Sequence, residues 1–351
     1  MISNRILAIT SRYKHHGENA GYIQLKKYLH PSFEVGIDET KDQPQIIKAY
    51  KWLFEFYAWF KFRNKADLLH IYYGEEYYRF SSVLFRKIPI IATFHQPPEK
   101  LKYEVLKGGD GGRIYRLAHI LTKNRFKKLS AAIVLEEGQK KVLELVMPAE
   151  KIHVIYHGIY TNKNAIPSRE KAAQILTIGN WLRDWEFYER VVSSFEKAKS
   201  PITFMLINQQ IDNDIIEQLS QYRNFKYFKD ASDEELEDEI QKSIAVFLPL
   251  KSAAGNNAVM ESLALGTPLI LPKIFHQNYQ LNCKAVRWYD PNSIESITIS
   301  INEFLALPTN EIQDLSREAT KLIAKFDWSQ IAKQTSVVYE QVSQSQSNID
   351  L

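Results

Sequence analysis

Residues 248–270 read Leu-Pro-Leu-Lys-Ser-Ala-Ala-Gly-Asn-Asn-Ala-Val-Met-Glu-Ser-Leu-Ala-Leu-Gly-Thr-Pro-Leu-Ile. The aliphatic run 244–248 stops at Pro249, and a small-residue loop containing Gly255, Asn256 and Asn257 follows. A short apolar helix is expected over 259–265, and Gly266-Thr267-Pro268 breaks it before a second apolar run at 268–271. Strand, loop, helix and strand in so few residues describe one unit of a parallel sheet, because strands buried on both faces read as continuous apolar runs. The helix carries a single carboxylate, Glu261. A charge on an apolar helix face needs a partner. Backbone amides at the helix start, around Asn256, Asn257 and Ala258, suit a diphosphate, and a carboxylate one turn along suits the paired hydroxyls of a ribose. The plainer reading makes Asn256 and Asn257 turn and cap residues.

The same alternation continues outward. Continuous apolar runs predict strands at 5–10, 68–72, 88–93, 131–135 and 152–155, and again at 174–178, 202–207, 225–228, 244–248 and 268–271. Amphipathic segments between them predict helices at 21–29, 138–146, 186–197, 233–242 and 259–265. The pattern is that of an α/β chain with two doubly wound sheets. A last helix is expected from about 328 to Val342, capped by Asp327 or Ser329, with a polar tail at 343–347 that frays.

Length and composition agree with two domains: 351 residues, 45% of them apolar, supply two ordinary cores and exclude global disorder. Cys283 is the sole cysteine, which excludes a disulfide framework and a cysteine-based zinc site and fits the reducing cytoplasm. Residues 1–13 read as a first strand, not a signal peptide, and no apolar stretch approaches the ~20 residues that cross a bilayer. The formal charge of +4 conceals an asymmetry: residues 1–166 hold 27 Lys+Arg and 16 Asp+Glu, whereas 167–351 hold 18 and 25. A basic first half implies an anionic partner. The change of sign falls beside Asn162, Asn164, Pro167 and Ser168, the composition of a linker.

Ligands of open α/β sheets bind beyond the carboxyl ends of strands, so the residues after each run are the candidates for chemistry. The first run leads into Ser11-Arg12-Tyr13-Lys14-His15-His16-Gly17-Glu18-Asn19-Ala20-Gly21, a polar turn before a helix, which is either an anion cradle or an ordinary connector. Another run ends in His95-Gln96-Pro97-Pro98, where a rigid turn holds an imidazole suited to a hydroxyl, a phosphate or a proton. Ile155-Tyr156-His157-Gly158-Ile159 closes a third. After 174–178 come Gly179-Asn180-Trp181-Leu182-Arg183-Asp184, with a glycine for close approach and an arginine suited to phosphate.

Together these motifs resemble the group 1 (family 4) glycosyltransferases of the GT-B fold. The carrying element is Glu261-Ser262-Leu263-Ala264-Leu265-Gly266-Thr267-Pro268 after a glycine-containing loop, similar to the family's carboxyl-domain signature. The resemblance implies two facing Rossmann-like domains, at 1–164 and 165–326, and a final segment 327–351 whose helix returns to the first domain. The domains would hinge over their substrates. It further implies transfer of a sugar from a nucleotide diphosphate-sugar donor to a glycan or lipid-linked acceptor, with retained configuration and with no metal or other cofactor. Donor contacts would come from Gly17, Gly179, Asn180, Gly255, Asn256, Asn257, Ala258 and Glu261. Arg183 would neutralise the departing diphosphate, His95 would sit near the transferred sugar, and His15, His16, Glu18 and Asn19 would face the acceptor. Two positions depart from the family pattern. Ala253 stands where a first glutamate is usual, and Asn180 with Arg183 stands where Arg and Lys are usual. These departures keep open a weak or inactive relative that binds nucleotide sugars or anionic surfaces.

Three other segments have patterns of their own. Asp212-Asn213-Asp214 has the Asp-x-Asp spacing of metal-dependent transferases but reads as helix capping and surface charge. Arg113, Arg116, Lys123, Arg125, Lys127 and Lys128, interleaved with Tyr115 and Phe126, form a basic run without any nucleic-acid-binding pattern around it, so no nucleic acid is expected. In 46–65, Trp52, Phe56, Trp59 and Phe60 recur at helical spacing among lysines and arginines, as in a helix lying on an anionic membrane surface or packed in a core.

Overall fold

The computed structural model describes residues 5–13, 21–41, 50–107, 120, 124–161, 171–208, 211–275 and 281–349. His15, His16, Gly17, Glu18 and Asn19 lie outside them, as do the linker residues 162–168 and, from the basic run, Arg113, Tyr115, Arg116 and Lys123. Two compact units form, one from 1–158 with 328–351 and the other from 159–327.

In the first unit, β1 (Ile6–Arg12), β2 (Phe33–Asp38), β3 (Leu68–Ile71), β4 (Ile90–Phe94), β5 (Ala131–Val134) and β6 (Ile152–Val154) form a sheet ordered β2-β1-β3-β4-β5-β6. Every pairing is parallel. The strand order reverses between β1 and β3. In the second unit, β7 (Ala172–Ile178), β8 (Thr203–Ile207), β9 (Phe225–Phe228), β10 (Ser243–Phe247), β11 (Leu269–Pro272) and β12 (Val286–Tyr289) are ordered β12-β11-β10-β7-β8-β9, also all parallel. Here the order reverses between β7 and β10, the Rossmann arrangement. Central strands such as β3, β5 and β10 are buried along their whole length, which is why their sequences are continuously apolar.

The helices used below are α1 (Lys26–Leu29), α2 (Leu53–Phe62), α3 (Gly74–Tyr77), α4 (Ser81–Leu84), α5 (Pro98–Lys107), α6 (Glu137–Leu143), α7 (Trp185–Lys197), α8 (Asn213–Ser220), α9 (Asp233–Lys242), α10 (Asn257–Ala264), α11 (Ile294–Leu305), α12 (Thr309–Ile323) and α13 (Trp328–Ile349).

Several expectations need correction. The sequence runs miss β2 and β12, whose residues Phe33–Asp38 and Val286–Tyr289 mix polar with apolar side chains and are only partly buried, so neither reads as a continuous apolar run. The helix expected at 21–29 is a 3-10 turn, Tyr22–Leu25, followed by the single turn α1. The tail expected to fray at 343–347 is helical, with Ser343 and Ser345 hydroxyls donating to the carbonyls of Tyr339 and Gln341 at 2.8 and 2.9 Å. The first part of α13 anchors it: Trp328, Ile331, Val338, Tyr339 and Val342 are buried.

Helix α13 packs within the first unit. The Tyr339 hydroxyl lies 2.7 Å from His70 Nδ1, and His70 Nε2 lies 2.9 Å from the Thr93 hydroxyl. Burial pushes the His70 imidazole down to about 3, so it is neutral. Below α3, Glu104 pairs with Arg79 at 2.8 Å and with Arg125 at 2.6 Å, all three buried. Arg125 and Phe126 are therefore interior residues, which removes them from the basic run as phosphate contacts.

Helix α2 is fastened by Glu55, whose buried carboxylate accepts the backbone N–H groups of Arg79 and Phe80 at 2.8 Å each and that of Ser81. Ala58 and Phe62 share its buried side, whereas Leu53, Phe56, Tyr57 and Phe60 are exposed, Phe60 to 76%. Among the described residues no helix is long and apolar enough to cross a membrane.

Candidate functional site

In the second unit the loops after β7 and β10 leave the sheet at its switch point and are laced together. Asp184 N–H donates to the Pro249 carbonyl at 2.6 Å and Lys251 N–H to the Leu182 carbonyl at 2.9 Å. Arg183 and Leu250 form an isolated antiparallel bridge between them. Gly179 turns the first loop at φ +77°, a conformation that favours glycine, and Arg183 folds back against it. The guanidinium donates through Nε and Nη2 to the Ile178 carbonyl, at 3.1 and 2.5 Å, and through Nη1 to the Trp181 carbonyl at 3.0 Å. Arg183 is thus the tie of this loop. Asn180 accepts from Trp185 Nε1 at 3.1 Å, and Asp184 caps α7 through the Phe187 amide. Sequence reasoning passed over Lys251, a cation on the second loop whose Nζ lies 3.5 Å from Asp184 with 59% of its side chain exposed. Its place after a β-run was the available signal.

Beyond buried Ala253 and Ala254, Gly255 turns at φ +58° and Asn256 begins α10. Asn256 Oδ1 accepts the Ala258 amide at 3.0 Å, so that amide serves the cap. One turn on, Glu261 is partly exposed. No hydrogen bond supports its carboxylate among the described residues; loss of water, with Asp233 and Glu237 of α9 nearby, pushes it up to about 7. A carboxylate in this setting is stabilised by donors that a ligand brings. The Asp-x-Asp spacing lies elsewhere: Asp212 precedes α8 as its N-cap residue, without a side-chain capping bond. Among the described residues no group of three or more His, Cys, Asp or Glu side chains is arranged to hold a metal ion.

In the first unit, the carboxyl ends of β1, β3 and β4 bring Tyr13, Tyr73, Glu75, Glu76 and His95 together. The His95 ring stacks on Tyr73 at 4.5 Å and meets the edge of Tyr22 at 4.7 Å. Its Nδ1 lies 3.6 Å from Glu75 Oε1, and its backbone N–H donates to Glu75 Oε2 at 3.2 Å. Burial, reinforced by the Glu76 charge, pushes the Glu75 carboxyl up to about 8. Glu76 accepts from the Ser11 hydroxyl at 3.2 Å and pairs with Lys51 at 2.9 Å. Lys51 in turn reaches Glu39 at 3.5 Å and lies over the Tyr13 ring. Neither glutamate was singled out from the sequence, although both stand just beyond a buried strand. His157, which was, is an interior residue: Nδ1 lies 2.7 Å from the Gly158 carbonyl, the ring packs on Trp328, and burial pushes it down to about 4.

Residues 14–163 match the family model Glycosyltransferase Family 4. A search of the curated proteins found no match. Among solved structures, Anabaena HepE in complex with UDP and glucose is similar at TM-score 0.65 and 13% identity, over 96% of this chain and 100% of that one. A glycosyltransferase from Rickettsia africae gives 0.65 and 15%, over 96% and 98%. Sucrose-phosphate synthase from Thermosynechococcus elongatus gives 0.67 and 14%, over 97% and 100%. Residues 14–163 are thus similar to Glycosyltransferase Family 4, and the two Rossmann-like units have the GT-B fold.

Proposed function

We propose that the protein moves a sugar from a nucleotide diphosphate-sugar donor to a glycan or lipid-linked acceptor, with retention at the anomeric carbon and without a metal ion. The observation that supports this is Glu261, a carboxylate without a hydrogen-bond donor among the described residues, one turn into a helix that starts at the switch point of the second sheet. Ribose hydroxyls supply the missing donors, and the start of α10 favours the diphosphate. Lys251, beside the laced loops, is the exposed cation there that can meet phosphate charge, while Arg183 keeps the loop in shape. His95, at the mouth of the first sheet, is assigned to the transferred sugar.

The test is binding followed by turnover. UDP-glucose and other nucleotide sugars are screened by thermal shift, then by release of the nucleoside diphosphate with and without excess chelator. Glu261→Ala should weaken donor binding at least tenfold; unchanged affinity sinks this site. Activity abolished by chelator sinks metal independence.

A second reading, a relative that binds nucleotide sugars without turning them over, is favoured by Ala253 and by the engagement of Arg183 with carbonyls. Binding without turnover of any donor selects it. The exposed side chains of α2, with Lys61 and Arg63 at its end, favour work in the cytoplasm at the inner membrane face, where a lipid-linked acceptor is reached.

A further inference from the structure

We propose that the amino-terminal edge of the first sheet is a docking face for an anionic lipid bilayer, and that the carboxyl ends of its strands therefore point away from the lipid. The docking stands independently of the transfer reading above, and the acceptor class drawn from it rests on that reading.

Strand register builds the face. Leu69 pairs with Ile90 and Ile91 with Ala131, so the parallel neighbours β3, β4 and β5 begin level with one another. Two cations precede each strand: Arg63 and Lys65 come before Leu68, Arg86 and Lys87 before Ile90, Lys127 and Lys128 before Ala131. Adjacent strands lie about 4.8 Å apart, which sets the three turns side by side along one edge of the sheet. All six residues are exposed. Among the described residues none of the six pairs with a carboxylate. Arg63 Nη1 donates to the Phe60 carbonyl at 3.0 Å and Arg86 Nε to the Val83 carbonyl at 3.1 Å, neutral acceptors that leave both charges unbalanced. Asp67, the acid on this edge, is taken by Arg5 at 2.9 Å, and Glu150 stands farther along, before β6. Like charges gathered without counter-charge repel one another, and an anionic surface relieves that repulsion.

Helix α2 brings an aromatic anchor to the same edge. Its last residue, Phe62, stacks on Phe33, the first residue of β2, with ring centroids 4.8 Å apart. Near its start, Phe54 meets Tyr77, whose hydroxyl donates to the Thr10 carbonyl toward the carboxyl end of β1. The helix thus runs from the carboxyl edge to the amino edge. Exposure of its outer row rises in that direction, from 39% at Leu53 to 49% at Tyr57 and 76% at Phe60. The Arg63 guanidinium lies over the Trp59 ring at 4.5 Å. A ring among unpaired cations suits the headgroup boundary of a bilayer, where the ring leaves water and the cations meet lipid phosphate, whereas a soluble polyanion offers the ring nothing. The end of α2 is the anchor, not its whole length.

With this edge on the lipid, the opposite edge stands above it by the length of a strand. β1 has seven residues, a rise of roughly 20 Å in extended backbone. On the transfer reading, an acceptor drawn from that bilayer reaches this height, so its head group is an extended glycan and not a single sugar on the lipid phosphate.

Co-sedimentation with vesicles of phosphatidylcholine, alone or mixed equally with phosphatidylglycerol, tests the docking. The protein should sediment only with the anionic vesicles, and only at low salt. Lys87→Glu with Lys127→Glu should lower the partition at least about tenfold, because each cation near such a surface contributes about fivefold. The matched pair Lys226→Glu with Lys229→Glu, exposed on the second unit, should stay within about twofold. Equal losses from the two pairs overturn the proposal, as does full retention by the first. Binding to inorganic polyphosphate without binding to vesicles overturns it in favour of a soluble polyanion. For the orientation, bimane is attached at Lys128→Cys or at Lys41→Cys, beyond the carboxyl end of β2, each in Cys283→Ser protein. Lipid with a nitroxide headgroup should quench the first label and spare the second; equal or reversed quenching overturns the orientation. With an active donor, a lipid-linked monosaccharide accepting as fast as a lipid-linked oligosaccharide overturns the acceptor class. A docked protein that transfers from no nucleotide sugar upholds the docking and sinks the transfer reading instead.

Discussion

Gly158 and Trp328 occupy one space: a Cβ on Gly158 would stand 2.2 Å from Cε3 of the Trp328 ring. Trp328, 1% exposed, opens α13, and Gly158 follows β6 in the same unit. The glycine that closes the run at 152–155 is the seat of a tryptophan. Gly158→Ala must displace the ring or the helix start, and should cost about 1–3 kcal/mol as overpacking does. Trp328→Ala leaves a void and should cost about 3–5 kcal/mol. Urea denaturation measures both, and a Gly158→Ala protein as stable as the parent would refute the packing account.

Glu261 should make stability depend on pH. Its folded carboxyl is raised from 4.5 to about 7, so folding favours the protonated form. That contribution is whole below about pH 4.5 and is lost as the pH rises through about 7. Glu261→Gln should therefore stabilise the ligand-free protein above pH 7 by roughly 1–2 kcal/mol, discounted for partial exposure, and leave it unchanged at pH 4. Thermal melts across this range check the sign.

Glu104 holds two buried arginines. Glu104→Gln leaves Arg79 and Arg125 without their counter-charge, and a cost of about 3–5 kcal/mol is expected. Replacement of exposed Lys127 should change stability by less than about 0.5 kcal/mol. Equal effects from the two would show that the triad is not the strut of α3.

Phe60 is the most exposed aromatic of the α2 row, and the row is flanked by Lys61 and Arg63. Phe60→Ser should leave the melting temperature nearly unchanged and remove co-sedimentation with vesicles of phosphatidylcholine and phosphatidylglycerol at low salt. A parent protein that stays in the supernatant rejects the membrane reading.

The sequence by itself determined the alternation of strands and helices, and hence two parallel sheets, because strands buried on both faces must be apolar throughout. It also marked 248–270 and Glu261, since a charge in an apolar helix stands out without any knowledge of contacts. Strands β2 and β12 were illegible because polar residues such as Glu34, Asp38 and Arg287 interrupt their apolar runs at partly buried positions. Tertiary structure alone decided the fates of residues that look alike in one dimension. His157 and His70 became neutral core groups by burial, whereas His95 acquired a carboxylate from the end of a neighbouring strand. Arg183 turned toward carbonyls of its own loop, and Arg125 left a basic run for a buried ion pair. Partnership between residues far apart in the chain depends on which strand ends lie side by side, and strand order is a property of the folded sheet.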